Sequence, residues 1–348
     1  MSQKVVFVGL SGGVDSSLTA YLLLQQGYKV VGVYMKNWTQ DIGLYQCPWK
    51  EDYLAAKQLA TFLNIKLLVF DFQTEYKDLV VDYMLEEYAQ GRTPNPDIRC
   101  NQTVKFDLFF KASIKAGADL IATGHYAKTD HENLYKATDQ TKDQTYFLYR
   151  VPKESLKKTL FPLGKMLKRE VRQLASQLNL PTAQRAESMG LCFVGSVGMV
   201  NFLKNYAQTQ PGDIINDQGQ IIGQHQGAIF YTLGQRHGLN IGGGLPYYVT
   251  GKNMTKNQVY VSQNLNHPKF WATSLKLRLT HWLVKPQKNL IYQVRIRHLG
   301  ALYPLQINLS SNQSAELRFK QPIKTTAQGQ SAVLYQDNLV LGGGIIAY

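Results

Sequence analysis

The stretch Ser11-Gly12-Gly13-Val14-Asp15-Ser16-Ser17 has the make-up of a phosphate cradle. Consecutive small residues let a backbone fold tightly around an anion, with its N–H groups and a following helix N-terminus aimed at phosphate oxygens. The serine hydroxyls add donors. A Walker-type loop carries a lysine after its last glycine, whereas Val14 and Asp15 stand here. Such a loop suits the pyrophosphate portion of ATP rather than transfer of the terminal phosphate. Asp15 is an unexpected neighbour for phosphates unless a cation such as Mg2+ lies between them.

A second constellation is Thr93-Pro94-Asn95-Pro96-Asp97-Ile98-Arg99-Cys100-Asn101. Two prolines spaced by one residue predict a stiff, extended loop that holds the Asp97 carboxylate and the Cys100 thiol in place. Arg99 beside Cys100 is expected to favour the thiolate, the nucleophilic form. The plainer reading of the same residues is a capped turn before a helix that starts near Val104. The third cysteine motif is Glu187-Ser188-Met189-Gly190-Leu191-Cys192-Phe193-Val194-Gly195, a turn-rich segment whose thiol is either a loop nucleophile or a core residue. With Cys47, these are all the cysteines. They are too scattered for a disulfide framework and lack the paired spacing of a zinc site, so no metal centre is expected and Cys47 is read as structural.

The elements that must position these groups follow from periodicity. Lys4 to Leu10 reads as a strand, and Leu18 to Gly27 as a helix behind the Ser/Gly loop. Further strands are expected at Tyr28 to Met35, Ile65 to Phe70 and Asp119 to Gly124. Helices are expected at Asp52 to Leu63 (with Leu54, Ala55, Leu59 and Phe62 inward), Tyr76 to Tyr88, Val104 to Ala116 and Leu167 to Leu178. This alternation predicts an α/β, doubly wound parallel sheet, with Met35 and Gly124-His125 at the strand ends where ligands bind. His125 is read as a structural histidine as readily as a catalytic one. Beyond Val200 the helical period fades into short alternating segments, among them Gln258 to Ser262, Ser274 to Leu279, Tyr292 to Arg297 and Ala332 to Tyr335. Boundaries near Val200 and Trp271 give three expected domains: 1–200, a nucleotide-binding domain with a helical extension; 201–271, a small β-rich domain; and 272–348, a β-barrel.

With 348 residues, the chain exceeds what one core usually organises. The net charge of +14 is concentrated: from Gln218 to Ala315 there is no Asp or Glu, while Lys and Arg recur from Arg236 to Arg297. A polyanion such as nucleic acid is the partner this charge suits. No apolar run is long enough to span a bilayer and the N-terminus lacks a signal-peptide core, so a cytoplasmic protein with no membrane partner is expected.

The Ser11–Ser16 string resembles the signature of the PP-loop ATP pyrophosphatases, which split ATP into AMP and pyrophosphate while adenylating a carbonyl or amide oxygen. The three motifs together resemble one family within that class, the tRNA-specific 2-thiouridylases. The likeness extends through Met35-Lys36-Asn37-Trp38, Cys47-Pro48-Trp49, Asp143-Gln144-Thr145-Tyr146-Phe147-Leu148, Tyr231-Thr232-Leu233-Gly234-Gln235-Arg236 and Leu341-Gly342-Gly343-Gly344. It implies an adenine nucleotide alpha hydrolase-like fold followed by two β domains. By resemblance Gly9, Leu10, Ser11, Gly12, Gly13, Val14, Asp15, Ser16, Met35 and Gly124 bind ATP with Mg2+, and Asn95, Pro96 and Asp97 meet the target base. Cys100 matches the family nucleophile and Cys192 the cysteine that carries sulfur as a persulfide, the pair able to close a disulfide. Asp143, Gln144, Thr145, Arg297 and His298 match positions that touch tRNA.

The implied reaction adenylates the wobble uridine at position 34 and replaces its oxygen with sulfur, in tRNAs such as those for Lys, Glu and Gln. The sulfur comes from a cysteine desulfurase or a relay protein. Three segments depart from the family pattern: Phe193 to Gly198, which lacks the usual charges; Asn37 to Gln46, with Asp41 as its one carboxylate; and Arg185 to Ser188. Two other readings compete: a PP-loop ligase or amidotransferase acting on a small molecule, and a tRNA-binding protein that has lost catalysis.

Overall fold

The computed structural model describes residues 3–41, 46–185, 198–242, 244–310 and 313–348. Its first strand, β1 (Val5–Gly9), is buried from its second residue onward, as a central strand covered on both faces must be. The Ser/Gly loop leads into α1 (Val14–Gln25), and β2 (Lys29–Lys36), α2 (Trp49–Phe62) and β3 (Lys66–Asp71) follow. Next come α3 (Gln73–Tyr76), a π-helical segment (Lys77–Asp82), α4 (Tyr83–Ala89) and α5 (Pro96–Cys100). A second π-helical segment (Asn101–Leu108) leads to α6 (Phe109–Lys115) and β4 (Leu120–Ala122). A hairpin, β5 (Lys128–Thr129) and β6 (Leu134–Tyr135), precedes α7 (Thr145–Leu148), α8 (Lys153–Lys157) and β7 (Thr159–Leu160), and α9 (Lys168–Gln177) comes last before α10 (Met199–Tyr206).

The strands β3-β2-β1-β4-β7 form one parallel sheet in that order. The chain runs outward from β1 to β3 and then returns to the other side of β1. The crevice between β1 and β4 is therefore the topological switch point at which such sheets bind ligands. The expected α/β architecture is what the molecule has. Two local expectations fail. On α2, Leu54 and Phe62 are about half exposed, and the inward face is Ala55, Ala56, Leu59 and Ala60. At its start α2 lies close to the loop: a Cβ on Gly12 would lie 2.6 Å from the Asp52 carbonyl and 3.3 Å from the Ala55 methyl, so a small side chain is what fits at position 55. The second concerns residues 96–101, which are helix rather than extended loop. Pro96 takes the first helical position, where its missing N–H costs nothing, and Asn95 caps the turn by accepting from the Ile98 amide at 3.2 Å.

Four strands, β8 (Gly212–Ile215), β9 (Ile221–His225), β10 (Tyr248–Asn253) and β11 (Gln258–Ser262), make a small separate sheet with its own core around Ile214, Val249 and Val259. The remaining strands are β12 (Trp271–Trp282), β13 (Tyr292–Arg295), β14 (Tyr303–Leu309), β15 (Ala315–Lys324), β16 (Ser331–Gln336) and β17 (Leu339–Ala347). They close into a barrel because β12 pairs with both β15 and β17. Closure leaves no open edge, and Gly342, Gly343 and Gly344 make it steric: a Cβ on Gly343 would sit 2.1 Å from the Ala332 carbonyl.

The barrel is fastened to the nucleotide-binding half. The β5–β6 hairpin extends its sheet through Leu134 opposite Val340, a join that no periodicity announced. Glu87 on α4 receives both Arg92 at 2.7 Å and Arg278 of the barrel at 2.8 Å. Buried Asp143 holds Arg295 at 2.9 Å. Among the described residues, no helix is long and apolar enough to cross a membrane.

Candidate active site

The phosphate loop closes on itself. Ser16 Oγ accepts from the Ser11 amide at 3.2 Å and donates to the Gly13 carbonyl at 3.0 Å, while Gly12 takes φ +79°, a conformation glycine adopts without strain. These bonds curl the loop so that α1 begins at its mouth. Neighbouring strands press in from both sides: a Cβ on Gly9 would touch the Met35 methyl at 3.0 Å, and one on Gly124 would lie 2.8 Å from the Asp15 carbonyl carbon and the Ser16 nitrogen. Gly9, Met35, Gly124 and the loop therefore form one contiguous surface at the switch point.

The cation that Asp15 demands is part of the chain. Lys168 Nζ donates to both carboxylate oxygens, at 2.7 and 2.8 Å, and the Tyr126 hydroxyl donates to one of them at 2.9 Å. Lys168 opens α9, lies 153 residues from its partner and is almost fully buried. No motif marks it in the sequence. Gln144 backs this arrangement, since its side-chain oxygen accepts from the Tyr126 amide at 2.9 Å. Asp15 is thereby committed to protein cations. Among the described residues, no group of three or more His, Cys, Asp or Glu side chains is placed to hold a metal ion.

Asp97 and Cys100 occupy one turn of α5, three residues apart and so on the same helix face. Burial pushes the Asp97 carboxyl above its ordinary range, and the nearby charges of Lys105 and His298 only partly offset it. His298 is anchored by a hydrogen bond between its Nε2 and the Asp143 carbonyl at 3.0 Å and leans on the Phe147 ring at 4.4 Å between centroids. Burial lowers its own pKa. Lys105, absent from the motif reading, acts on both Asp97 and His125, which ties the α5 face to the end of β4. His125 itself shares a hydrogen bond with Thr123 at 2.8 Å and packs against Phe106 and Phe161, with burial holding it neutral. The Arg99 guanidinium donates to the Leu79 carbonyl at 2.9 Å and stacks 5.1 Å above the Tyr83 ring.

Family models match three successive parts of the chain: a tRNA methyl transferase HUP domain at residues 4–196, a tRNA methyl transferase PRC-barrel domain at 200–263, and an aminomethyltransferase beta-barrel domain at 272–346. The tRNA-specific 2-thiouridylase of Methylobacillus flagellatus is 44% identical over 355 residues, covering 99% of this chain and 99% of its own length. The 2-thiouridylase of Neisseria gonorrhoeae is 45% identical over 98% of this chain and 95% of its own. The chain belongs to the tRNA-specific 2-thiouridylase family. Among solved structures, the U34-tRNA thiolase NcsA of Methanococcus maripaludis aligns over 59% of this chain and 67% of its own, with a TM-score of 0.37 and 22% identity.

The 2-thiouridylase motifs fall into place unevenly. Residues matched to ATP, Gly9 to Ser16 with Met35 and Gly124, share the mouth of the switch point. Asn95, Pro96, Asp97 and Cys100 share the start of α5. Of the residues matched to tRNA, Arg297 and His298 are exposed, while Asp143 and Thr145 have no exposed surface and Gln144 is partly buried. Thr145 donates to Asp143, and Asp143 carries Arg295, so these two side chains support the surface that His298 occupies. Cys192 lies outside the described residues.

Proposed function

We propose that the 2-thiouridylase reaction of this chain is carried by Asp97 and Cys100 on α5 and by Cys192, with ATP at the Ser11–Ser16 loop. The observation that supports this most is the placement of Asp97 and Cys100 on one helix face beside the exposed His298, in a chain that matches 2-thiouridylases from end to end. The phosphate loop holds ATP so that the base oxygen can attack its α-phosphate. Mg2+ accompanying the nucleotide would screen the phosphate charge, and the loop's own carboxylate, Asp15, is paired with Lys168.

Adenylation turns the C2 oxygen of the wobble uridine into a leaving group, AMP. The terminal sulfur of a Cys192 persulfide then displaces it, and Cys100 attacks the remaining disulfide sulfur of Cys192. That step forms a Cys100–Cys192 disulfide and leaves the thione on the base. A second route reaches the same disulfide when Cys100 first attacks the persulfide and frees hydrosulfide, which then displaces AMP. Asp97, raised toward neutrality by burial, is suited to exchange protons with the base. A uridine reacting at its ring must leave the anticodon stack, and Asn95 and Pro96 are the residues assigned to meet it. Arg297 and His298 contact tRNA directly, whereas Asp143 and Thr145 act by positioning them. The sulfur donor is a cysteine desulfurase or relay protein, and the substrates are wobble-uridine tRNAs such as those for Lys, Glu and Gln.

The test is thiolation of unmodified tRNA with ATP, Mg2+ and a persulfide-generating donor, read by mobility on a mercury gel. Shifted tRNA with the natural chain, lost with Cys100→Ser and with Cys192→Ser, supports both cysteine roles. Full shift with Cys100→Ser removes Cys100 from the mechanism.

A further inference from the structure

A cavity of about 480 Å³ lies where the nucleotide-binding half, the small sheet and the barrel meet, away from the phosphate loop. It is large enough for a nucleotide. On one wall, Thr93 stands two residues before Asn95 and its hydroxyl shares a hydrogen bond with that of Thr232 at 3.0 Å. Elsewhere in the lining, the Thr325 carbonyl accepts from the Arg297 guanidinium at 3.4 Å. The cavity therefore adjoins the chain just before the residues matched to the target base, and its Thr325 holds Arg297, a residue matched to tRNA.

Its chemistry is cationic and aromatic. Lys252 points its ammonium to the Tyr231 carbonyl at 2.7 Å, with burial pushing its pKa down to about 8. Among the described residues no Asp or Glu side chain lines the cavity. A desolvated ammonium without an anion costs stability, and an arriving anion recovers that cost. Lys269 stands exposed at the same wall, its ammonium 3.6 Å from where a Cβ on Gly251 would be. Trp271, with 42% of its surface exposed, offers a flat apolar face beside them.

We propose that this cavity binds an unpaired nucleotide, its base against Trp271 and its phosphate between Lys252 and Lys269, and that this nucleotide is a neighbour of the target uridine in the anticodon loop. The inference rests on the tRNA reading above. Splaying the target base out of the stack leaves adjacent nucleotides unstacked, and an aromatic platform with nearby cations is how proteins hold such bases. A free nucleoside monophosphate offers the same chemistry and is the competing source.

The experiment uses the full chain and two probes, unmodified tRNA and uridine 5′-monophosphate. Tryptophan fluorescence is followed in the natural chain and in Trp271→Phe, and tRNA affinity is measured across a salt series for Lys252→Met, Lys269→Ala and Trp271→Ala. The expected result is a tRNA-dependent quench that Trp271→Phe abolishes, roughly five- to hundredfold weaker tRNA binding in Trp271→Ala, and a salt slope smaller by about one in each lysine variant. The KM for ATP stays unchanged. Natural-strength tRNA binding in Trp271→Ala and Lys269→Ala, while the natural chain thiolates tRNA, overturns the inference and leaves the tRNA reading standing. Quenching by uridine 5′-monophosphate with tRNA affinity unaltered assigns the cavity to a free nucleotide and equally overturns it. Failure of the natural chain to bind tRNA overturns both readings. Lys269 and Trp271 are exposed, so the outcome does not depend on whether Lys252→Met folds.

Discussion

Replacing Lys168 by Met tests the account of the phosphate loop most directly. In the intact chain both oxygens of Asp15 are held by the Lys168 ammonium, so the carboxylate presents little net charge to a triphosphate at the N-terminus of α1. Methionine keeps the length of the side chain and removes its charge. Asp15 then faces the phosphates as an uncompensated anion. At a separation of ~6 Å and an effective dielectric of ~20 to 40, each unit of phosphate charge opposes it by about 1.4–3 kcal/mol. ATP affinity should fall about ten- to hundredfold. The assay is ATP binding by calorimetry, with thermal unfolding of the same samples to separate lost affinity from lost structure. The double variant Asp15→Asn, Lys168→Met replaces the ion pair by neutral groups of similar shape and should recover affinity to within about threefold, as a double-mutant cycle on a true charge pair requires. An unchanged ATP affinity in Lys168→Met would refute the reasoning, and so would a double variant no better than the single one.

Three further outcomes follow from the same structure. Gly124→Ala places a methyl 2.8 Å from the Asp15 and Ser16 backbone, so the loop must shift; overpacking of ~1–3 kcal/mol should raise the KM for ATP about five- to hundredfold, and an unaltered KM would contradict the close approach. Asp143→Ala strands Arg295, whose side chain is 9% exposed and whose Nε already lacks a partner. Urea unfolding should show a loss of ~3–5 kcal/mol, and a loss below about 1 would mean the pair does not fasten the barrel. The third concerns pH. Folding raises the Asp97 pKa, so the contribution of this group to stability is fully present below its unfolded pKa and declines as pH rises through the folded value. Asp97→Asn should therefore raise the melting temperature at neutral pH while abolishing thiolation, and a lower melting temperature would show that ionised Asp97 is stabilised by Lys105 and His298 instead.

Chemistry carried by contiguous residues was legible in the sequence. Ser11–Ser16 dictates its own curl, because small residues and a helix start are local properties, and the alternating strands and helices around it leave few topologies other than the parallel sheet observed. The Asn95–Cys100 segment stood out by its residue types, although its shape was misjudged. Proline at 96 reads equally as a stiff loop or as a first helical turn, and the Asn95 cap chose between them. The long stretch without acidic residues announced a cationic surface, but not the cavity within it.

What only the tertiary structure decided are pairings between residues far apart in the chain. Lys168 meets Asp15 across 153 positions, Arg278 meets Glu87 across 191, and Arg295 meets Asp143 across 152. Each basic residue looks like an ordinary solvated charge until the fold removes water from around it. The face of α2 shows the same limit: periodicity placed Leu54 and Phe62 inside, but packing buries Ala55, Ala56, Leu59 and Ala60 instead. Local pattern sets which elements form, while the partner of a buried charge is chosen by the surfaces that packing brings together.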